Sequence, residues 1–141
     1  LLESRGLGDV YKRQGLLRLL SANRHHELPQ AVYELGTVVI DHENREKFSF
    51  LVAENSGGFA TLRGRIQAVM RDLGCIGWEL VPTDDGPWLK GRSAMIMIDG
   101  IEVGQCGEID PSVSASFNLN VPMSGAQFDV NSLLSVTKDP V

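Results

Sequence analysis

The side chains able to do chemistry are few and scattered. Three histidines (His25, His26, His42) and two cysteines (Cys75, Cys106) occur in 141 residues. No CxxC or HExxH spacing joins them, so the four nitrogen or sulfur ligands of a structural zinc site do not assemble. Neither cysteine has a charged neighbour or a vicinal partner to activate it, and both read as small buried apolar residues. His25-His26 stands beside Glu27 at the expected end of a helix, where a cation suits the helix dipole and a solvated cap is expected. Asp84-Asp85 precedes Gly86-Pro87 and reads as a solvated turn, because a hard-cation site needs several converging oxygens. Glu108 stands near the end of an expected strand and is assigned a rim ion pair or a cap rather than catalysis. Trp78 and Trp88 bracket residues 79–87, and packing in core and rim is expected ahead of a pocket wall. The glycine clusters Gly104-Gln105-Cys106-Gly107 and Gly57-Gly58 read as bulges or turns, neither being expected to follow a strand and open a helix as a phosphate cradle must. No GxxxxGK(S/T), GxGxxG or GxSxG pattern occurs. The residues therefore give no catalytic, cofactor-binding or metal-binding assignment.

The elements that would position a site are clearer. Leu16, Leu17, Leu19 and Leu20 form an apolar stripe on a short helix over 15–27, ended by Pro29. Residues 31–40 are rich in Val, Tyr and Ile and read as a strand, with Gly36 as a bulge or close approach. Residues 41–46 form a charged turn, and a second strand occupies 47–53. Phe59, Leu62, Ile66, Val69, Met70 and Leu73 trace one face of a helix over 59–73. Gly64 inside it costs about 1 kcal/mol against Ala and implies a close packing contact. Gly74 closes the helix in the left-handed region. A strand at 77–82 leads to a hairpin over 93–98 and 101–109, signalled by Asp99-Gly100 between two apolar runs. Asp110-Pro111 opens a short helix over 111–117. A last strand at 121–130, starting near Pro122, precedes a helical turn at 131–135. Strand–helix–strand alternation does not dominate. The fold class is α+β, a mostly antiparallel sheet of about six strands with helices on one face.

Length and charge bound the rest. The chain is sized for one domain. Hydrophobic residues make up 43% and charged residues 22%, which is globular composition and excludes disorder and collagen. No apolar run approaches the ~18 residues of a membrane helix, no signal peptide is recognisable, and a reducing cytoplasmic setting is the default. Thirteen basic against eighteen acidic residues give a formal charge of −5, a poor basis for gripping nucleic acid phosphates. Residues 1–14, LLESRGLGDVYKRQ, resemble a translated sequencing-adapter tail and are set apart from the fold. Without their three basic and two acidic residues the charge is −6. Residues 15–136 form the folding module and 137–141 a C-terminal tail. A first residue of Leu rather than Met reads as a piece of a longer reading frame.

Several segments, in order, resemble one family. LLRLLSANRHHELPQAVYELGTVVI is similar to the helix-then-strand segment of the phenylalanyl-tRNA synthetase β subunit, archaeal and eukaryotic type, through Leu16-Leu17, Asn23, Leu28-Pro29, Tyr33-Glu34 and Gly36. Phe59, Arg63 and Gly64 resemble its aromatic, basic residue and glycine. LKGRSAMIMIDGIEVGQCGEIDPSV is the closest part, through Gly91-Arg92-x-Ala94, Asp99-Gly100, Val103-Gly104 and Gly107-Glu108-Ile109-x-Pro111. Leu119, Pro122, Phe128 and Asp129 resemble the closing strand. Coverage is about 15–136. Each motif alone is common; five in register are specific. Asp110 replaces the usual histidine before the proline, and Gln127 the usual glutamate in the last strand.

The resemblance implies a catalytic-like module, a degenerate copy of the class II synthetase sheet, without its chemistry. In working class II domains the strand after a similar (Y/F)E(I/L)G carries an arginine that holds the ATP α-phosphate. That position falls at Ile40, which cannot stabilise charge developing during adenylate formation. The acidic residue expected soon after falls at His42, and no GxGxxxR or any arginine follows Val121. The resemblance further implies an α₂β₂ enzyme that uses ATP and Mg²⁺ to charge tRNA with phenylalanine. In it, α holds the active site, tRNA is contacted by other parts of the assembly, and this segment binds no cofactor. Exposed apolar residues among Leu16, Leu20, Val38, Ile40 and Trp88 are then expected to be buried by α or by the rest of β. The alternative is a free-standing synthetase-like regulatory or partner-binding module without ligase activity.

Overall fold

A computed structural model describes residues 16–22, 28–55, 58–84 and 88–136. His25, His26, Glu27, Asp85, Gly57 and the two tails lie outside the described residues, as do the side chains of Val38 and Ile40.

A helix over 16–22, α1, opens the described chain. Strands β1 (Gln30–Ile40) and β2 (Glu43–Ala53) form a hairpin, followed by helix α2 (Phe59–Asp72) and strand β3 (Trp78–Pro82). Strands β4 (Ser93–Ile98) and β5 (Ile101–Glu108) form a second hairpin. Helix α3 (Pro111–Ser116), strand β6 (Met123–Asp129) and helix α4 (Val130–Val136) complete the chain. The sheet has six strands in the order β1-β2-β6-β5-β4-β3, and every neighbouring pair is antiparallel.

Local chemistry accounts for most boundaries. Asp99 and Gly100 both have positive φ, 52° and 79°, the conformation a two-residue primed turn needs. Asp110 accepts the Ser112 N–H at 2.9 Å and Pro111 takes the first helical position, so the donor-poor start of α3 is satisfied. At the end of α2, the Gly74 N–H donates to the Arg71 carbonyl and the Cys75 N–H to the Met70 carbonyl, at 3.1 and 2.8 Å. With Gly74 at φ 72°, this is the paired closure of a Schellman motif. Leu62, Ile66 and Met70 recur every four residues along α2 and are buried, each contributing about 1.5–3 kcal/mol of apolar transfer.

Five expectations change, beginning with the helices, which occupy both sheet faces rather than one: α1 carries Leu16, Leu17 and Leu20 into a cluster apart from that of α2 and α4. The first hairpin turns on Asp41-His42 alone, with φ of 51° and 67°. Residues 43–46 are therefore strand, pairing Glu43 with Ile40 and Glu46 with Thr37, and the Thr37 hydroxyl donates to Glu46 Oε1 at 2.8 Å. β1 and β2 pair without interruption, so Gly36 makes no bulge. A Cβ built at Gly64 meets no atom within 4 Å, so no packing contact explains that glycine. Leu16, Leu20 and Trp88 are buried within the chain itself rather than left for a partner.

The last point follows from there being two cores. Helices α2 and α4 pack on one sheet face, over β2, β5 and β6. Leu62, Ile66, Met70, Ile96, Ile98 and Phe128 fill that core. Leu16, Leu17, Leu20, Leu51, Trp88 and Met123 belong to a second cluster. In β2, Phe48 and Phe50 join the first cluster and Leu51 and Ala53 the second. Because strand side chains alternate, the two clusters lie on opposite faces.

Candidate functional site

The face opposite α2 and α4 carries the polar side chains that the fold gathers. Ser49, Gln127 and Gln105 are direct neighbours across β2, β6 and β5. Glu34 extends the row on β1 and Met95 on β4. Ser49 and Gln127 are buried and Gln105 is half-buried. The Ser49 hydroxyl is buried without a hydrogen bond.

On one side of this row, Leu51, Gly125 and Gly107 are neighbours. A Cβ at Gly107 would lie 2.8 Å from the Trp88 Cβ and 2.9 Å from the Arg92 carbonyl oxygen. The bare glycine lets the indole lie against the sheet. On the other side, Lys47 pairs with Asp129. Arg45 also forms an ion pair with Asp129 and reaches the Ser132 hydroxyl at 3.4 Å. The Ser132 N–H donates to Asp129 Oδ1 at 3.3 Å, at the start of α4. Burial opposes ionisation of Asp129, but hydrogen bonds from Arg45 and the Ser132 backbone, with the charges of Lys47 and Arg45, outweigh it. Its carboxyl is held below the ordinary carboxylate value. Arg45 is thereby paired with this carboxylate, and Lys47 adds its charge from the facing ladder position.

Ser49 without a neighbouring base is a weak nucleophile. Among the described residues the histidine is His42, in the β1–β2 turn, roughly 24 Å away along the strand.

The other candidates do not converge on this face. Trp78 lies in the first core, under the Arg63 guanidinium at 5.2 Å, and Trp88 in the second. The two indoles therefore do not wall a common pocket. Glu108 pairs with Arg92 at 2.9 Å, the rim ion pair expected of it. It also edges a groove of about 520 Å³ shared with Leu89, Ile109, Ser114, Leu119 and Met123. Asp84 is exposed and accepts the Gly91 N–H at 3.3 Å. Gly104 sits beside the one-residue bulge where β5 shifts against β4. Gly58, by contrast, does stand between β2 and α2 as the helix cap, which corrects the expected order; the GxGxxG spacing is still missing. Cys75 and Cys106 are buried. Burial raises both thiols, Cys106 to about 12, which keeps them as unreactive thiols at neutral pH. Among the described residues, no three His, Cys, Asp or Glu side chains converge to hold a metal ion, and no helix is long and apolar enough to cross a membrane. The polar row escaped the sequence reading, although Ser49 and Gln127 alternate with Phe48, Phe50 and Phe128, a legible signal of a second, more polar face.

Residues 13–130 match the family model described as the phenylalanyl tRNA synthetase beta chain CLM domain. The chain belongs to this family. It is 40% identical over 116 residues to the phenylalanine–tRNA ligase beta subunit of Archaeoglobus fulgidus, covering 82% of this chain and 21% of the relative. It is 36% identical over 125 residues to the same subunit of Methanopyrus kandleri, covering 84% and 21%. The chain thus spans about a fifth of the length of these relatives. The crystal structure of pyrrolysyl-tRNA synthetase from Desulfitobacterium hafniense superposes with a TM-score of 0.71 at 16% identity, over 86% of this chain and 47% of that one. That likeness shows a class II synthetase fold. Within this family member, Ile40 ends β1 and His42 is exposed in the turn beyond it. The polar row is uncharged apart from Glu34; beside it Arg45 is paired with Asp129, and Lys47 stands opposite Asp129 in the ladder.

Proposed function

We propose that the chain is a non-catalytic module of the β subunit of phenylalanine–tRNA ligase, supporting an α subunit that charges tRNA with phenylalanine. The family match over 13–130 carries this reading. The lack of a cation in the row Glu34, Ser49, Gln127, Gln105 and Met95 supports the non-catalytic part, and so does the aliphatic Ile40 at the position where adenylate formation needs positive charge. In this reading ATP and Mg²⁺ are bound by α rather than by this chain. The rest of β and the α subunit assemble with the module as an α₂β₂ enzyme, tRNA is contacted elsewhere, and the enzyme works in the cytoplasm. The net acidity, −5, agrees with a module that faces protein rather than nucleic acid.

The test exchanges residues 16–136 for the matching segment of an archaeal β subunit co-expressed with its α subunit. Assembly with α and phenylalanine-dependent pyrophosphate exchange are expected in the chimera, and no exchange from the purified chain alone. Exchange by the chain alone, abolished by unfolding it, would overturn the non-catalytic reading. A chimera that folds but leaves α unassembled would overturn the supporting role.

A further inference from the structure

β6 passes into α4 without a loop: the strand ends at Asp129 and the helix begins at Val130. α4 has seven residues, too few to hold a helix in water by themselves, where about 12–15 are needed. It therefore depends on what it touches, and it holds the sheet in two ways. Leu133 is buried in the first core and Val136 packs against that core. At the other end of the helix three polar groups close a triangle. Asp129 Oδ1 accepts the Ser132 N–H, Asp129 Oδ2 pairs with the Arg45 guanidinium, and the same guanidinium reaches the Ser132 hydroxyl. The three sides join β6 to α4, β6 to β2, and β2 to α4.

We propose that α4 is a latched flap, which opens as a unit from a sheet that stays paired, and that the Asp129 carboxylate is its latch. The apolar anchor is small, one buried leucine and one half-buried valine, while the sheet beneath keeps its six-strand ladder without α4. A segment with so few buried contacts opens at lower cost than the core strands. The carboxylate sets that cost, because losing its charge removes the Arg45 pair and weakens the helix cap together. Among the described residues, the charges that bear on it are Arg45 and Lys47 of β2. β6 and α4 carry no other ionisable side chain. β5 and α2, which also pack on β6, bring no charge to it. The closed flap thus favours the ionised form. Its hold is complete above the ordinary carboxylate value of about 3.9, and is lost as pH falls through the lower value of the folded chain. This inference is independent of the proposed function.

The experiment is native-state hydrogen exchange of the whole chain at pH 7 in low urea, read by NMR at the amides of α4, β2 and β6. Asp129→Asn, Asp129→Ala and Arg45→Gln are compared with the parent. Asp129→Asn keeps an oxygen for the Ser132 N–H and loses the charge. Arg65→Gln is the control, since Arg65 and Glu54 make a pair of similar exposure at the other end of β2. In the parent, α4 amides are expected to exchange with little dependence on urea, and central β2 and β6 amides with a strong one. Protection of α4 is expected to fall about two- to fivefold in Asp129→Asn and Arg45→Gln, and about tenfold in Asp129→Ala. The control is expected to lower protection of the sheet and leave that of α4 unchanged, because the open flap keeps the Arg65 pair. Acid titration gives a readout that needs no folded Ala variant: α4 amide shifts of the parent follow one midpoint below the ordinary carboxylate value while the sheet amides hold, and Asp129→Asn lacks that midpoint. The proposal is overturned by α4 amides that exchange only together with the sheet, by α4 protection indifferent to the loss of the Asp129 charge, by an equal loss in the control, or by acid release of α4 and sheet together.

Discussion

Gly64→Ala is expected to make the chain more stable. Gly64 lies in the middle of α2, exposed, with helical rather than left-handed backbone. Three terms set the size of the effect. Replacing glycine by alanine inside a helix gains about 0.8–1.0 kcal/mol of propensity, largely by restricting the unfolded chain. The clash term is nil, because no atom beyond the local helix backbone lies within 4 Å of the new Cβ. The burial term is small, because the site faces solvent. The sum is about 1 kcal/mol in favour of the variant, or a rise in Tm of about 3–5 °C for a domain of this size. Urea melts followed at 222 nm, with an unchanged m-value, measure it directly. A midpoint equal to or below that of the parent at constant m would refute the reasoning. It would mean that the solvent-facing side of α2 is occupied in solution, or that the helix cannot accept a Cβ there.

Gly107→Ala is expected to destabilise by about 1–3 kcal/mol, because the new methyl group meets the Trp88 Cβ and the Arg92 carbonyl. Thermal melts measure the loss, and tryptophan fluorescence that stays unshifted would show that the indole does not lie there. Both thiols are expected to resist iodoacetamide in the folded chain at pH 8 and to react on unfolding. Cys106, pushed up to about 12 by burial, gains thiolate only as pH nears that value, so rapid native alkylation at pH 8 would contradict its placement.

Much of the architecture is carried by local chemistry and is therefore legible from the chain alone. Asp99-Gly100 fixes a hairpin through its own dihedrals, Gly74 stops α2, and Asp110-Pro111 starts α3. What escapes depends on neighbours distant in sequence. Asp41-His42 takes a primed turn without glycine, because the eleven-residue ladder on both sides aligns it; the charged residues 43–46 conceal that strand. Leu16, Leu20 and Trp88 read as surplus apolar surface because their cover, including Met123, comes from the far end of the chain. The candidate site was harder still. Ser49, Gln127 and Gln105 lie on three strands, and only the sheet order sets them side by side. The losses that the resemblance implies at Ile40 and His42, in contrast, are read by position in a motif and need no fold.

The sheet order also sets a timetable for synthesis. β6 lies between β2 and β5, yet it is the last of the described strands to be made. It begins at Met123, seventy residues after β2 ends at Ala53. Hairpin partners can meet as they leave the ribosome, but β2 and β5 have no common neighbour until β6 arrives. At ordinary elongation rates that interval lasts about 4–14 s, during which the inner edge of β2 is open and Phe48, Phe50 and Leu51 lack their β6 cover. A ribosome that stalls, or a message that ends, before Met123 would release two separate sheet fragments with raw edges. The closing strand therefore acts as a completeness check: a chain without it cannot join its two halves.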